Sequence, residues 1–395
     1  HKMQAYPVYG MECPAEAALA VTHADGNMTL KMVVDTCNTT RSDESSLTRI
    51  RLRDEIYPFF VDLFYRSYDD HDVIESWVEI SHQEDSPVEL RRYASAYLPV
   101  RRGDVWLCHL HGSGNNESQL AQESLEDSPG MKTISSSHTI NISHASHGEV
   151  MFALDGKPRE NEGRVVGAAL CYGGNYRLDV NTVDDEYHHF FAGMNWTDAP
   201  YRLTRGEVLR TPAVAFVYSE DGTSGVSRVY HRWARDHKLA HGDRTRPVLL
   251  NSWEGVYMDV EQATMEKMMD DIAALGGDLF VMDDGWFGSK YQRDDSSALG
   301  DWTVDRRKLP GGIEGLLDAA SRRGLDFGIW VEPEMVNSRS ELYERHPDWV
   351  LVPQGRQPAT GRGGTQMVLD LTNPEVRDYV AGVFDSIVGK YPAIK

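Results

Sequence analysis

Asp278-Leu279-Phe280-Val281-Met282-Asp283-Asp284-Gly285-Trp286 runs from an apolar stretch straight into two adjacent carboxylates, a glycine and a tryptophan. The pattern recurs on either side of it. Pro247-Val248-Leu249-Leu250 leads into Ser252-Trp253-Glu254, and Asp326-Phe327-Gly328-Ile329 leads into Trp330-Val331-Glu332-Pro333-Glu334. Short apolar runs bounded by polar residues read as buried strands. Between them the spacing turns helical, with Met265, Met268, Met269, Ile272 and Leu275 in one interval and Ile313, Leu316, Leu317 and Ala320 in the next. Strands that alternate with helices build a parallel sheet, and such a sheet carries its chemistry at the carboxyl ends of its strands. The carboxylates and tryptophans fall at those ends.

Helix limits follow from local chemistry. Asp259-x-x-Gln262 reads as a capping box, and Gly276-Gly277 and Gly324 as helix stops. Ser338-x-x-Glu341 is expected to cap a further short helix. Asn373-Pro374 places proline at the first position of a last helix, whose stripe is Val376, Val380, Val383, Phe384 and Ile387. Methionines at this spacing are core packing rather than a cofactor site. Three or four strands cannot close a barrel alone, so residues 241–395 are read as the first part of a (β/α)₈ TIM barrel. An open doubly wound sheet is the alternative, but no Gly-rich phosphate loop follows any strand.

Residues 1–240 have a different period. Alternating runs are punctuated by Asp25-Gly26, Asp155-Gly156 and Asp221-Gly222, dipeptides that mark hairpins. Many strands at short spacing predict an N-terminal β-sandwich domain. Ser224 to Lys238 reads as a helix with Val226, Val229, Tyr230 and Trp233 on one face, and Asp236 to Arg246 as a linker. The fold class is therefore multidomain, β then α/β. The chain opens His1-Lys2, with neither an initiator methionine nor a signal peptide, and stops at Tyr391-Pro392-Ala393-Ile394-Lys395, where a new strand begins. It reads as a fragment of a longer chain, incomplete at both ends.

The net charge of −21 argues against a nucleic-acid partner. No stretch has the apolar length needed to cross a membrane. Cys13, Cys37, Cys108 and Cys171 lie far apart without metal spacing, which favours free thiols, a reducing compartment and a cytoplasmic location. No cofactor is implied.

Asp283-Asp284 is the strongest chemical signal, with a helix cap or surface turn as the bland alternative. Two adjacent carboxylates at a barrel mouth can bind a metal, activate water or grip hydroxyls. No histidine stands at ligand spacing, so zinc is not expected. The neighbouring tryptophans favour hydroxyls: flat rings cover the apolar face of a sugar, while carboxylates hold its hydroxyls by charge-assisted hydrogen bonds. Trp253 and Trp330 each have a core-aromatic alternative. Of Glu332 and Glu334, one is expected to face the site and the other to form an ion pair.

Asn251-Ser252-Trp253-Glu254, Asp283-Asp284-Gly285-Trp286-Phe287-Gly288, Leu299-Gly300-Asp301-Trp302 and Gly328-Ile329-Trp330-Val331-Glu332-Pro333-Glu334-Met335 together resemble the α-galactosidases of glycoside hydrolase family 36. The run from Gln366 to Val376 fits as well, and weaker similarity through Tyr6-Pro7-Val8-Tyr9-Gly10 and Tyr172-Gly173-Gly174-Asn175 extends it over most of the chain. The resemblance implies an N-terminal β-supersandwich, a catalytic barrel, and retaining hydrolysis of terminal α-linked galactose from raffinose-type oligosaccharides. It implies that Asp283 and Asp284 grip galactose hydroxyls, that Trp253 and Trp330 wall the pocket, and that Arg362 contacts the sugar or the nucleophile region. Retention needs two carboxyl groups across the scissile bond. The family's nucleophile is the aspartate of a Lys-Trp-Asp motif ending the fourth barrel strand, and Lys395 stands where that lysine would be. Nucleophile and acid/base are thus expected beyond Lys395, and no residue of the chain is assigned as catalytic.

The resemblance also implies a homo-oligomer, tetramers being common in the family. It leaves open an α-N-acetylgalactosaminidase, a galactosyl transferase of the same fold, or a non-catalytic galactoside-binding protein. Two departures stand out. Met11-Glu12-Cys13-Pro14 replaces the family's Asp-Phe-Arg, in a loop that shapes a neighbour's active site in oligomeric members. Arg362 lies two residues further than usual from the Gln-x-Val-Leu-Asp run, with Gly363-Gly364 between.

Overall fold

A computed structural model describes residues 4–12, 16–113, 116–127, 129–137, 146–183, 186–197, 199–391 and 394–395. Cys13 and Pro14 lie outside the described residues. The chain divides into two compact units, His1–Asp243 and Arg244–Lys395.

In the first unit alternation dictates a sandwich. Phe59, Val61 and Leu63 of the Phe59–Tyr68 strand are buried, as are Val78 and Ile80 of the paired Val73–His82 strand. Side chains two apart share one face of a strand, so both strands turn the same apolar row inward. They belong to a ten-stranded sheet among the described residues, which faces two smaller ones. One core joins its first half to the three-stranded sheet through Leu19, Val21, Leu90 and Leu203. Another joins its second half to the four-stranded sheet through Phe152, Leu178, Val180 and Phe190. The helix Gly222–Trp233 packs outside with Val226, Val229 and Trp233 buried. Asp221-Gly222 therefore starts a helix rather than closing a hairpin. Gly222 takes φ +67°, and a Cβ there would meet the carbonyl oxygens of Arg159 and Glu160. Cys37, Cys108 and Cys171 are free thiols.

In the second unit, strands Leu249–Asn251, Leu279–Met282 and Asp326–Ile329 lie side by side, all parallel and in chain order. Helices Gln262–Ala274 and Gly312–Arg322 make the crossovers. After the helix Pro374–Lys390 the chain returns to the sheet: Phe327 bridges Ile394 in parallel, and Lys395 donates to the Phe327 carbonyl. This succession of β/α units fits part of a TIM barrel. No helix among the described residues is long and apolar enough to cross a membrane.

Several local expectations need correction. Glu261, not Asp259, precedes the first crossover helix, and no side chain caps it. The Gln262 amide is used elsewhere, accepting from the Gly311 N–H and donating to Glu266. Leu275 is 84% exposed, because the helix ends at Ala274 and the stripe ends with it. Gly276, at φ +80°, makes the stop. The cap of the helix Glu341–Arg345 is Ser340, whose buried Oγ accepts from the Tyr343 N–H, and not Ser338. In the last helix Asn373 caps through the Glu375 N–H as expected, and Val376, Val383 and Ile387 are buried. Phe384 flanks that row and stays 45% exposed.

Candidate functional site

The carboxyl ends of the three parallel strands hold Asn251, Met282 and Ile329, so the residues that follow them gather at one rim. Asn251 ties the first strand to the second. Its Nδ2 donates to Asp283 Oδ2 at 2.7 Å, while its Oδ1 accepts from the Trp253 N–H at 2.7 Å. The Asp283 N–H donates to Ser252 Oγ at 3.0 Å, and Asp283 Oδ1 accepts from the Asp284 N–H at 2.8 Å. The second strand meets the third through the Trp330 N–H, which donates to the Met282 carbonyl at 2.9 Å. Trp286 Nε1 donates to the Trp330 carbonyl at 2.9 Å.

Asp283 is half-buried and Asp284 buried. The two carboxylates therefore have different surroundings. Asp284 lies in the fork of Arg293, whose Nε reaches Oδ1 and whose Nη2 reaches Oδ2, each at 2.7 Å. Neither side chain is more than 3% exposed. A bidentate guanidinium–carboxylate pair is among the strongest contacts a protein makes when both partners are satisfied. Here they are: Arg293 Nη1 also donates to Asn337 Oδ1 at 3.0 Å and to the Ser297 carbonyl at 3.0 Å. Arg293 carried no signal in the sequence, where Tyr291-Gln292-Arg293-Asp294 has neither motif nor period.

Arg362 and Trp253, 109 positions apart in the sequence numbering, come together. The guanidinium lies 5.0 Å from the centre of the Trp253 ring and 3.3 Å from Asp295. Gly363 and Gly364, which follow Arg362, both adopt positive φ (+63° and +69°) in the turn that carries it. Trp253 is half-buried and meets Tyr257 edge-on at 5.2 Å, so it is not a fully enclosed core aromatic. Trp330 is half-buried too, with its ring 6.1 Å from that of Trp302. The Leu299-Gly300-Asp301-Trp302 run is support: Trp302 packs on Phe287 at 4.4 Å, and Asp301 accepts the N–H groups of Glu341 and Leu342. Burial raises the Asp301 carboxyl above the usual range.

Glu332 is half-buried beyond the third strand. Burial, and then the Glu334 and Asp284 carboxylates, push its carboxyl up to about 7, against the pull of Arg293 and Arg362. Glu334 is exposed, and no ion pair forms at either glutamate among the described residues, contrary to the expectation for one of them. Among the described residues no three His, Cys, Asp or Glu side chains converge as metal ligands. The rim offers half-buried rings, a cation and hydrogen-bonded carboxylates, a set that can hold a polyhydroxylated ring.

Comparison with known proteins also divides the chain in two, but at residues 204–208 rather than at the 243–244 junction of the compact units. Residues 208–394 match the Melibiase family model. The chain is 33% identical over 357 residues to the α-galactosidase Mel36A of Lactobacillus acidophilus, covering 89% of this chain and 47% of that protein. It is 34% identical over 353 residues to the α-galactosidase AgaA of Geobacillus stearothermophilus, covering 88% and 47%. It thus spans about half the length of the curated relatives it matches. The crystal structure of an AgaA variant with 1-deoxygalactonojirimycin superposes with a TM-score of 0.90 at 31% identity, over 98% of this chain and 56% of that one. Related AgaA structures hold stachyose and raffinose at the same TM-score. Residues 1–204, more than half of the chain, match the glycosyl hydrolase family 36 N-terminal domain, and the chain belongs to that family.

Proposed function

We propose that the Arg244–Lys395 unit carries the galactose-recognition part of a retaining α-galactosidase acting on raffinose-type oligosaccharides. The observation that carries this reading is the shared rim at which Asn251 orients Asp283 and the Trp330 backbone is tied to the same strand. Asp283 and Asp284 take ring hydroxyls through lone pairs left over from their internal bonds. Trp253 and Trp330 cover the apolar face, and Arg362, held over Trp253, reaches the same sugar. The α-galactosidase names of the relatives, and the raffinose and stachyose in the neighbouring structures, support the substrate class. The free cysteines support a reducing, cytoplasmic compartment, and the family resemblance supports a homo-oligomer.

Asp283 and Asp284 are assigned to recognition because both oxygens of each are already hydrogen-bonded within the site. The nucleophile and acid/base are assigned to residues outside the 395. Incubation of the 395-residue chain with raffinose, with released galactose measured, tests the division of labour. Binding without release is expected, and steady release at enzyme-like rates would overturn it.

Trp253→Ala removes one wall and the seat of Arg362. Galactose affinity is expected to fall roughly fivefold to tenfold, since an aromatic contact of this kind contributes on the order of 1 kcal/mol beyond area burial. Unfolding of the first unit should be unchanged. Parental affinity in a calorimetric titration would return Trp253 to a packing role.

A further inference from the structure

The carboxylates in or beside the rim differ in their hydrogen bonding. Asp283 accepts from Asn251 and from the Asp284 N–H, and Asp284 accepts from Arg293 through both oxygens. Glu334 is exposed. Glu332 alone is half-buried without a hydrogen-bond or ion-pair partner for its carboxyl among the described residues. The backbone holds it there. Trp330 is anchored to the second strand, the Met335 N–H donates to the Glu332 carbonyl at 3.3 Å, and Pro333 and Met335 are buried on either side of Glu334. A partly desolvated carboxyl with no internal partner costs stability unless something else satisfies it.

We propose that Glu332 is a further ligand-contacting residue of this pocket, accepting a hydroxyl of the bound galactose with hydrogen-bonding capacity that Asp283 and Asp284 no longer have in full. This rests on the sugar-site reading above and adds a residue to it. Four charged groups surround Glu332: Glu334 on its own segment, Asp284 after the second strand, Arg293 beyond it and Arg362 from the facing turn. Burial and the two carboxylates hold its titration at about 7. A sugar hydroxyl donating to the ionised form favours that form. Galactose binding should therefore release a proton, and affinity should rise as pH increases through about 7.

The test is calorimetric titration of the 395-residue chain and of Glu332→Gln and Glu332→Ala with D-galactose across that pH window, with circular dichroism to confirm folding. For the parent, affinity is expected to increase roughly threefold to tenfold across the window. Glu332→Gln keeps an acceptor but cannot ionise, so its profile should be flat. Glu332→Ala should bind roughly tenfold more weakly than the parent above the window, the loss of one charge-assisted hydrogen bond. A parental pH slope that survives in Glu332→Gln, or Glu332→Ala binding as tightly as the parent, would overturn the assignment. Those outcomes still show galactose bound, so they leave the sugar site standing. A parent that binds no galactose at any pH removes the sugar site and this proposal together.

Discussion

Replacing Arg293 by alanine is expected to destabilise the Arg244–Lys395 unit by about 3–5 kcal/mol, the usual cost of breaking a buried ion pair from one side. The cause is what remains. Asp284, almost fully buried, loses both of its charge-assisted donors, and Asn337 Oδ1 and the Ser297 carbonyl lose the guanidinium that satisfies them. Asn337 also accepts from the Leu299 N–H, so the disturbance reaches the loop that carries Trp302. Arg293→Lys should recover part of the loss, since an ammonium keeps the charge but not the fork. Denaturant unfolding followed by tryptophan fluorescence, with the two units fitted as separate transitions, measures both variants. An unshifted second-unit transition in Arg293→Ala would mean that the pair does not hold the site.

Asp283→Ala is expected to have the largest effect on binding. In the proposed site the side chain would supply acceptors for sugar hydroxyls, and charge-assisted hydrogen bonds contribute roughly 1.5–3 kcal/mol each, or at least about tenfold in affinity for every bond lost. Asp283 is half-buried and pairs with the neutral Asn251 amide rather than with a buried cation, so its removal should leave the fold largely intact. Asp284→Ala is a less discriminating substitution, because it strands Arg293 and mixes a stability defect with a binding defect. Calorimetry with galactose on folded Asp283→Ala separates the two effects. Unchanged affinity would remove Asp283 from the list of sugar contacts.

The units and the strand ends were legible because they follow from periodicity. Alternation predicts the sandwich, and three apolar runs separated by helical stripes predict parallel strands in chain order. Asp283, Asp284, Trp253 and Trp330 stood out because each follows such a run, and the β pairing brings those ends to one rim. Helix edges were less legible, as Leu275 and Phe384 show: a stripe says which face is apolar but not where the helix stops or what covers its flank. Arg293 was invisible because a long-range ion pair has no period; Asp284 reads as a free ligand until its partner nine residues on is seen folded back onto it. The seating of Arg362 over Trp253 depends on two left-handed glycines, whose consequence is a matter of loop geometry and not of spacing.

The proposed function requires that the second unit bind galactose in preference to its epimers. Calorimetric titration of the 395-residue chain with D-galactose, and in parallel with D-glucose, tests it most directly, because these sugars differ only in the orientation of one hydroxyl. Galactose is expected to bind more strongly than glucose, and its binding is expected to be lost in Asp283→Ala. No binding of either sugar, or equal binding of both, would contradict it.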